Sequence, residues 1–135
     1  MAIKNFQLML RIFGAIIFVF SASHLFLGLR ADALLGANIS SAVLAEPTLD
    51  SQNRFYGAAF AIYGVLLLLC ATDIRRYEPV LRWAMAVFFI GGLARLVSIV
   101  IVGLPAPLIL GLTAIELLAP PLLYVAMRAA LAEAD

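Results

Sequence analysis

Charge is scarce in this chain. Asp, Glu, Lys and Arg make up only 13% of its 135 residues, against roughly 25% in ordinary soluble domains. Nine basic and eight acidic residues leave a net charge of +1, so nothing points to a nucleic-acid partner. There is one cysteine, Cys70, and one histidine, His24. A lone cysteine excludes an intrachain disulfide and Cys-x-x-Cys thiol chemistry. A lone histidine excludes a bis-histidine haem or a His-rich metal site within one chain. No cofactor motif, metal-ligand set or nucleophile constellation is present, and no soluble domain, low-complexity tract or internal repeat.

What is abundant is oil. Hydrophobic residues make up 65% of the chain and mean hydropathy is +1.10. A soluble protein of this size has too little interior to hide so much apolar surface, so the chain reads as a membrane protein. Four stretches are long enough to span, at about residues 6–29, 54–71, 80–102 and 107–127, each near the ~20 residues a helix needs to cross hydrocarbon. Backbone groups in lipid must be satisfied within their own segment, so these are helices. The expected fold is all-α, a single integral membrane domain folded as a four-helix bundle. The first stretch begins like a leader, with Lys4 and then Ser21-Ala22-Ser23, but its apolar run continues through Leu29 and reads as a retained span.

Basic residues set the orientation. Lys4, Arg11, Arg75, Arg76, Arg82 and Arg128 fall on one side, and only Arg30 and Arg54 border the other. Both termini and the 73–82 loop are therefore expected in the cytoplasm, with the 30–53 loop and the 103–106 turn outside. Within the long loop, residues 34–45 suggest one helix lying on the membrane surface, ended by Glu46-Pro47, with Asp50 as N-cap of the second span. Asn38-Ile39-Ser40 matches a glycosylation sequon, a weak signal. Stripes rich in small residues at helical spacing, Gly57, Ala61 and Gly64 on the second span and Gly14, Phe18, Ser21, Leu25 and Gly28 on the first, predict close helix packing.

Two charges interrupt the last two spans: Arg95 and Glu116. Counted from the turn between those spans, both reach about 12–14 Å into the bundle. A mid-span arginine costs roughly 2.5–3.5 kcal/mol on insertion scales unless paired, so the two are expected to meet. Ser98 shares a face with Arg95, and Gly91 lies beside them. Thr113, Glu116 and Pro120 share a face on the fourth span, where Pro120 and Pro121 remove the N–H partners of the Glu116 and Leu117 carbonyls. Arg95 has donors enough for both the carboxylate and a freed carbonyl. His24 and Arg54 lie near the outer ends of the first two spans. The reading is a polar pocket of His24, Arg54, Arg95, Ser98 and Glu116 in the outward half. Three roles stand for it: a register-fixing ion pair, a ligand site, and a proton relay.

Asn53-Arg54-Phe55-Tyr56-Gly57, Gly91-Gly92-Leu93-Ala94-Arg95, Gly103-Leu104-Pro105 and Glu116 followed by Pro120 occur in that order. In this the chain resembles an uncharacterised bacterial family of four-helix membrane proteins, domain of unknown function 4345, itself distantly similar to DoxX-like proteins. The resemblance implies a bacterial inner-membrane bundle with Arg54, Arg95 and Glu116 as characteristic polar positions, and no known reaction.

Small size and the absence of cofactor motifs favour a non-enzymatic accessory subunit, or a binder of a lipid or small apolar molecule. No cofactor is evident, and a quinone or a lipid is the ligand class left open. Membrane lipids, a larger membrane complex or further copies of the chain are the expected partners. A small oligomeric transporter is the first alternative. The first span holds no acid, however, and an arginine beside Glu116 would hinder proton exchange. The second is a lipid- or quinone-directed enzyme with His24 as acid–base and Arg54 or Arg95 holding an anion.

Overall fold

Helices follow from the apolar runs, and their ends follow from polar caps. The computed structural model describes residues 3–133. Of these, 87% are helical and none lies in a strand. The elements are α1 (Ile3–Leu27), α2 (Leu29–Leu34), α3 (Ser41–Leu44), α4 (Pro47–Cys70), α5 (Ile74–Val102) and α6 (Pro107–Ala132). Four of them, α1, α4, α5 and α6, are long and apolar enough to cross a membrane.

Three boundaries differ from the sequence reading. The helix of the second span starts at Pro47, ahead of Arg54: Glu46 is its N-cap, accepting from the Leu49 N–H at 2.7 Å. Pro47 costs nothing in the first turn, where its N–H would have no helical partner. Asp50 is thus a first-turn residue and not the cap. The helix of the third span starts at Ile74, capped by Asp73, whose Oδ1 accepts from the Arg76 N–H at 3.0 Å. The expected 73–82 loop shrinks to a turn at 71–73, and Pro79 is carried inside α5. Of the single surface helix expected over 34–45, only α3 forms; α2 precedes it and ends at Leu34, and 35–40 is not helical, where Gly36 and Asn38 are weak helix formers. Hydropathy marks where a helix is in oil, whereas caps decide where it begins.

The short turns make α4, α5 and α6 run antiparallel to their neighbours. One end of the bundle carries the start of α1, the end of α6 and the α4–α5 turn (the terminal end). The other carries α2, α3 and the α5–α6 turn (the loop end). The helices associate chiefly as two pairs, α1 with α4 and α5 with α6. Gly57 fixes the first seam: a Cβ there would lie 2.7 Å from the His24 Cβ and 3.1 Å from the Ser21 carbonyl. Of the seam residues anticipated from sequence, Gly14, Ser21, Gly28, Gly57 and Gly64 are buried and Ala61 is half-buried, whereas Phe18 and Leu25 are exposed because their side chains are too large to fit wholly inside the seam that the small residues close.

The core sits at one end. Phe6, Leu10, Ile17, Leu67, Cys70, Ile74, Leu81, Met85 and Met127 form one buried cluster drawn from all four long helices. Every member lies in the terminal half or at mid-bundle. Tyr63 extends it, with its hydroxyl donating to the Ala84 carbonyl and its ring 5.6 Å from that of Phe88. Among the described residues, those buried in the loop half are small or polar: Ser21, Gly28, Ala31, Gly57, Gly92, Thr113 and Glu116. Large apolar side chains there are left uncovered by protein, Val100 at 85% and Leu104 at 78%. At most 22% of the most apolar window of any span is buried, an outer coat that suits a bilayer and not water.

Candidate functional site

Arg95 and Glu116 meet. Arg95 is about two turns from the end of α5, and Glu116 between two and three turns into α6, so an antiparallel hairpin brings them level. Arg95 Nε donates to Glu116 Oε2 at 2.7 Å. The glycine that makes room is Gly92, not Gly91: a Cβ at Gly92 would meet Leu117 and the Glu116 Cβ, whereas a Cβ at Gly91 would meet no described atom of another helix within 4 Å. Thr113, Glu116 and Pro120 are buried on one face as the spacing implied. Thr113 turns its hydroxyl to the Ile109 carbonyl at 2.8 Å.

Cover is unequal across the pair. The Glu116 side chain is 10% exposed and that of Arg95 is 40% exposed. Arg95 uses Nε on the carboxylate, and among the described residues its other N–H groups have no protein acceptor, the Glu116 carbonyl included. Ser98 is exposed and makes no side-chain hydrogen bond with a described residue. The arrangement is a carboxylate held inside the protein and a guanidinium with donors to spare at its surface.

His24 and Arg54 belong to a second constellation, at the loop end of the α1–α4 pair. His24 sets Nδ1 against the Phe20 carbonyl at 2.9 Å and Nε2 against Asp32 Oδ1 at 3.3 Å. Both partners are acceptors, and a neutral ring can donate to only one of them. Asn53 Nδ2 donates to Asp32 Oδ2 at 2.5 Å. Arg54 Nε donates to Asp50 Oδ2 at 2.7 Å, while its Nη1 donates to the Leu25 and Phe26 carbonyls at 2.9 and 3.0 Å. Those carbonyls are among the unpaired acceptors at the C-terminus of α1, where a cation is favoured. Asp50 Oδ1 accepts the first N–H of α2, from Leu29, at 3.3 Å. Together these bonds staple the α1–α2 corner to α4. The corner turns on Gly28, at φ 56°, where a Cβ would collide with the Asp50 carboxylate.

The five residues proposed from sequence thus divide. Arg95 and Glu116 form one pair, His24 and Arg54 join one staple, and Ser98 joins neither. Among the described residues no hydrogen bond or ion pair links the two groups. Sequence reasoning missed Asp32, Asp50 and Asn53. The Asp50–Arg54 spacing of i to i+4 was a usable signal, hidden because Asp50 was read as lying before the helix. Two buried polar atoms in the loop half, Ser21 Oγ and Asn53 Oδ1, have no hydrogen-bond partner among the described residues. Among the described residues no three His, Cys, Asp or Glu side chains converge to hold a metal ion.

A shallow groove of about 310 Å³ runs between α5 and α6 toward the terminal end, with Ala86, Phe89, Pro120 and Pro121 in its walls and Arg82 and Tyr124 at its mouth.

The family model described as domain of unknown function (DUF4345) matches residues 5–127. The chain belongs to that family. No curated protein and no solved structure matches it.

Proposed function

We propose that this member of the DUF4345 family is a small multi-pass protein of the bacterial inner membrane that binds, without transforming it, an amphiphilic molecule in its loop half, with Arg95 holding the polar group. One observation carries the reading. The Arg95 guanidinium is anchored to Glu116 by one N–H, stays two-fifths exposed, and keeps donors unused at a depth where water is scarce. A purely structural pair would be expected to bury both partners alike. Around it the loop half offers uncovered apolar side chains from all four long helices and no packed core of its own.

The terminal end holds six of the nine basic residues: Lys4, Arg11, Arg75, Arg76, Arg82 and Arg128. This supports placing that end in the cytoplasm and the binding half toward the outer leaflet. The 2.7 Å pairing of Glu116 weighs against proton-coupled transport, which needs a carboxylate free to exchange. The bonds of His24 to Phe20 and Asp32 favour a helix-corner role over acid–base work.

Native mass spectrometry of protein released from membranes into mild detergent tests this. The wild type should retain an adduct of lipid or quinone mass, and Arg95→Gln should retain several-fold less at unchanged helix content. Bare wild-type protein, or an equal adduct on Arg95→Gln, overturns the proposal. A stoichiometric protein partner in place of the adduct favours the accessory-subunit reading.

A further inference from the structure

Arg82, which lines the groove between α5 and α6 at its mouth, shares a carboxylate with Arg128, which stands beside the groove and does not line it. Arg82 Nη1 lies 3.9 Å from Glu78 Oε1, and Arg128 Nη1 lies 3.7 Å from the same oxygen. Two guanidiniums thus share one carboxylate, both at the long edge of ion-pair range and neither within hydrogen-bond distance. The site keeps one net positive charge and most of its N–H donors. Both arginines are more than half exposed. Arg82 is held over the Tyr124 ring, 5.7 Å from its centroid, which fixes it beside the groove.

Depth places this mouth at the membrane border. Arg82 stands 20 residues before Val102, and Arg128 stands 21 residues after Pro107, each about 30 Å along its helix from the loop-end turn. That is the thickness of the hydrocarbon. The part of α5 before Arg82, including Glu78 and Pro79, then lies among headgroups, and Trp83, 73% exposed, marks the boundary. Inward from Arg82 the groove is apolar. It exists because Ala86 has little side chain to fill it and faces Pro120 and Pro121.

We infer that this groove is a site for one anionic phospholipid: its phosphate on Arg82 and Arg128, one acyl chain along Ala86, Phe89 and the two prolines. The occupant follows from the surplus cation at headgroup depth joined to an apolar channel below it. A zwitterionic lipid brings its own cation to an already positive mouth, and free phosphate has nothing for the channel. The site lies on the opposite half of the bundle from the exposed Arg95 guanidinium and does not depend on what binds there.

Trp83 is the only tryptophan and adjoins Arg82, so its fluorescence reports the lipid beside the groove. The protein is reconstituted into vesicles of phosphatidylcholine and phosphatidylglycerol, with one or the other brominated to quench it. Brominated phosphatidylglycerol should quench with about fivefold or greater preference over its mole fraction, unaffected by added inorganic phosphate. The preference should fall to near unity in Arg82→Gln/Arg128→Gln and survive in Lys4→Gln. Ala86→Phe, which fills the channel with both arginines intact, should also abolish it and covers the case where the double variant fails to fold. Equal quenching by both lipids overturns the inference. So does a preference that Ala86→Phe leaves intact, which means surface charge alone, or one that Lys4→Gln lowers equally. Loss of quenching with cross-linked dimers through this face would mean a second copy occupies it, and overturns it as well.

Discussion

Arg95 and Glu116 are each tolerable in oil only because of the other, but the two are not equivalent. Arg95→Ala strands the partner that the protein covers more deeply, so it should cost more than Glu116→Ala. The double variant should cost less than the two together, with a coupling of about 1–3 kcal/mol. Reversible unfolding in mixed detergent, followed by circular dichroism, measures all three. Additive losses would mean the pair contributes nothing beyond its separate groups. The pairing was legible in the sequence because a tight turn makes equal counts on either side equal depths. The unequal cover was not, since it depends on how far the helix pairs lie from each other. Gly28 is a second test at this scale. Gly28→Ala meets both a positive φ and the Asp50 carboxylate, and should lose about 1–3 kcal/mol. Gly103→Ala, at φ 116° with nothing within 4 Å, meets backbone strain alone and should lose less in the same assay.

Among the elements, α4 shows most plainly what hydropathy cannot register. Its first two turns, Pro47–Arg54, are polar or mixed, and so were read as loop. Yet they hold Asp50, Asn53 and Arg54, the α4 half of the staple that fixes the α1–α2 corner. Glu46 is what lets the helix begin there. The N–H groups of Leu49 and Thr48 hold its carboxyl below the usual value of 4.5. The cap is therefore intact above the unfolded value and is lost as pH falls through the lower, folded one. Hydrogen exchange should detect fraying of the 48–51 amides on acidification below about pH 4.5, beyond the intrinsic change in exchange rate. Glu46→Gln should remove that pH dependence. Protection in the wild type that tracks the intrinsic rate alone would deny Glu46 the role. The same blindness shortened α5: Asp73 caps a helix whose opening turns are charged and carry a proline, two features that suggest a loop when composition is read without the cap.

Across the whole molecule, stability should be polarised. Leu10→Ala or Met127→Ala, fully buried in the cluster that joins all four long helices, should each cost about 2–5 kcal/mol. Leu96→Ala and Val100→Ala in the loop half should stay within about 0.5 kcal/mol. Comparable losses at both ends would contradict a one-ended core. Four helices were legible from the lengths of the apolar runs, but the position of the core was not, because hydropathy does not tell an apolar side chain that faces another helix from one that faces outward. A bundle fastened at one end behaves like a clothes-peg. Its arms part without prising interlocked side chains from one another, so compliance gathers where the spring is not. The proposed amphiphile would then enter sideways from the surrounding acyl chains, with no lid to lift and no aqueous doorway to cross.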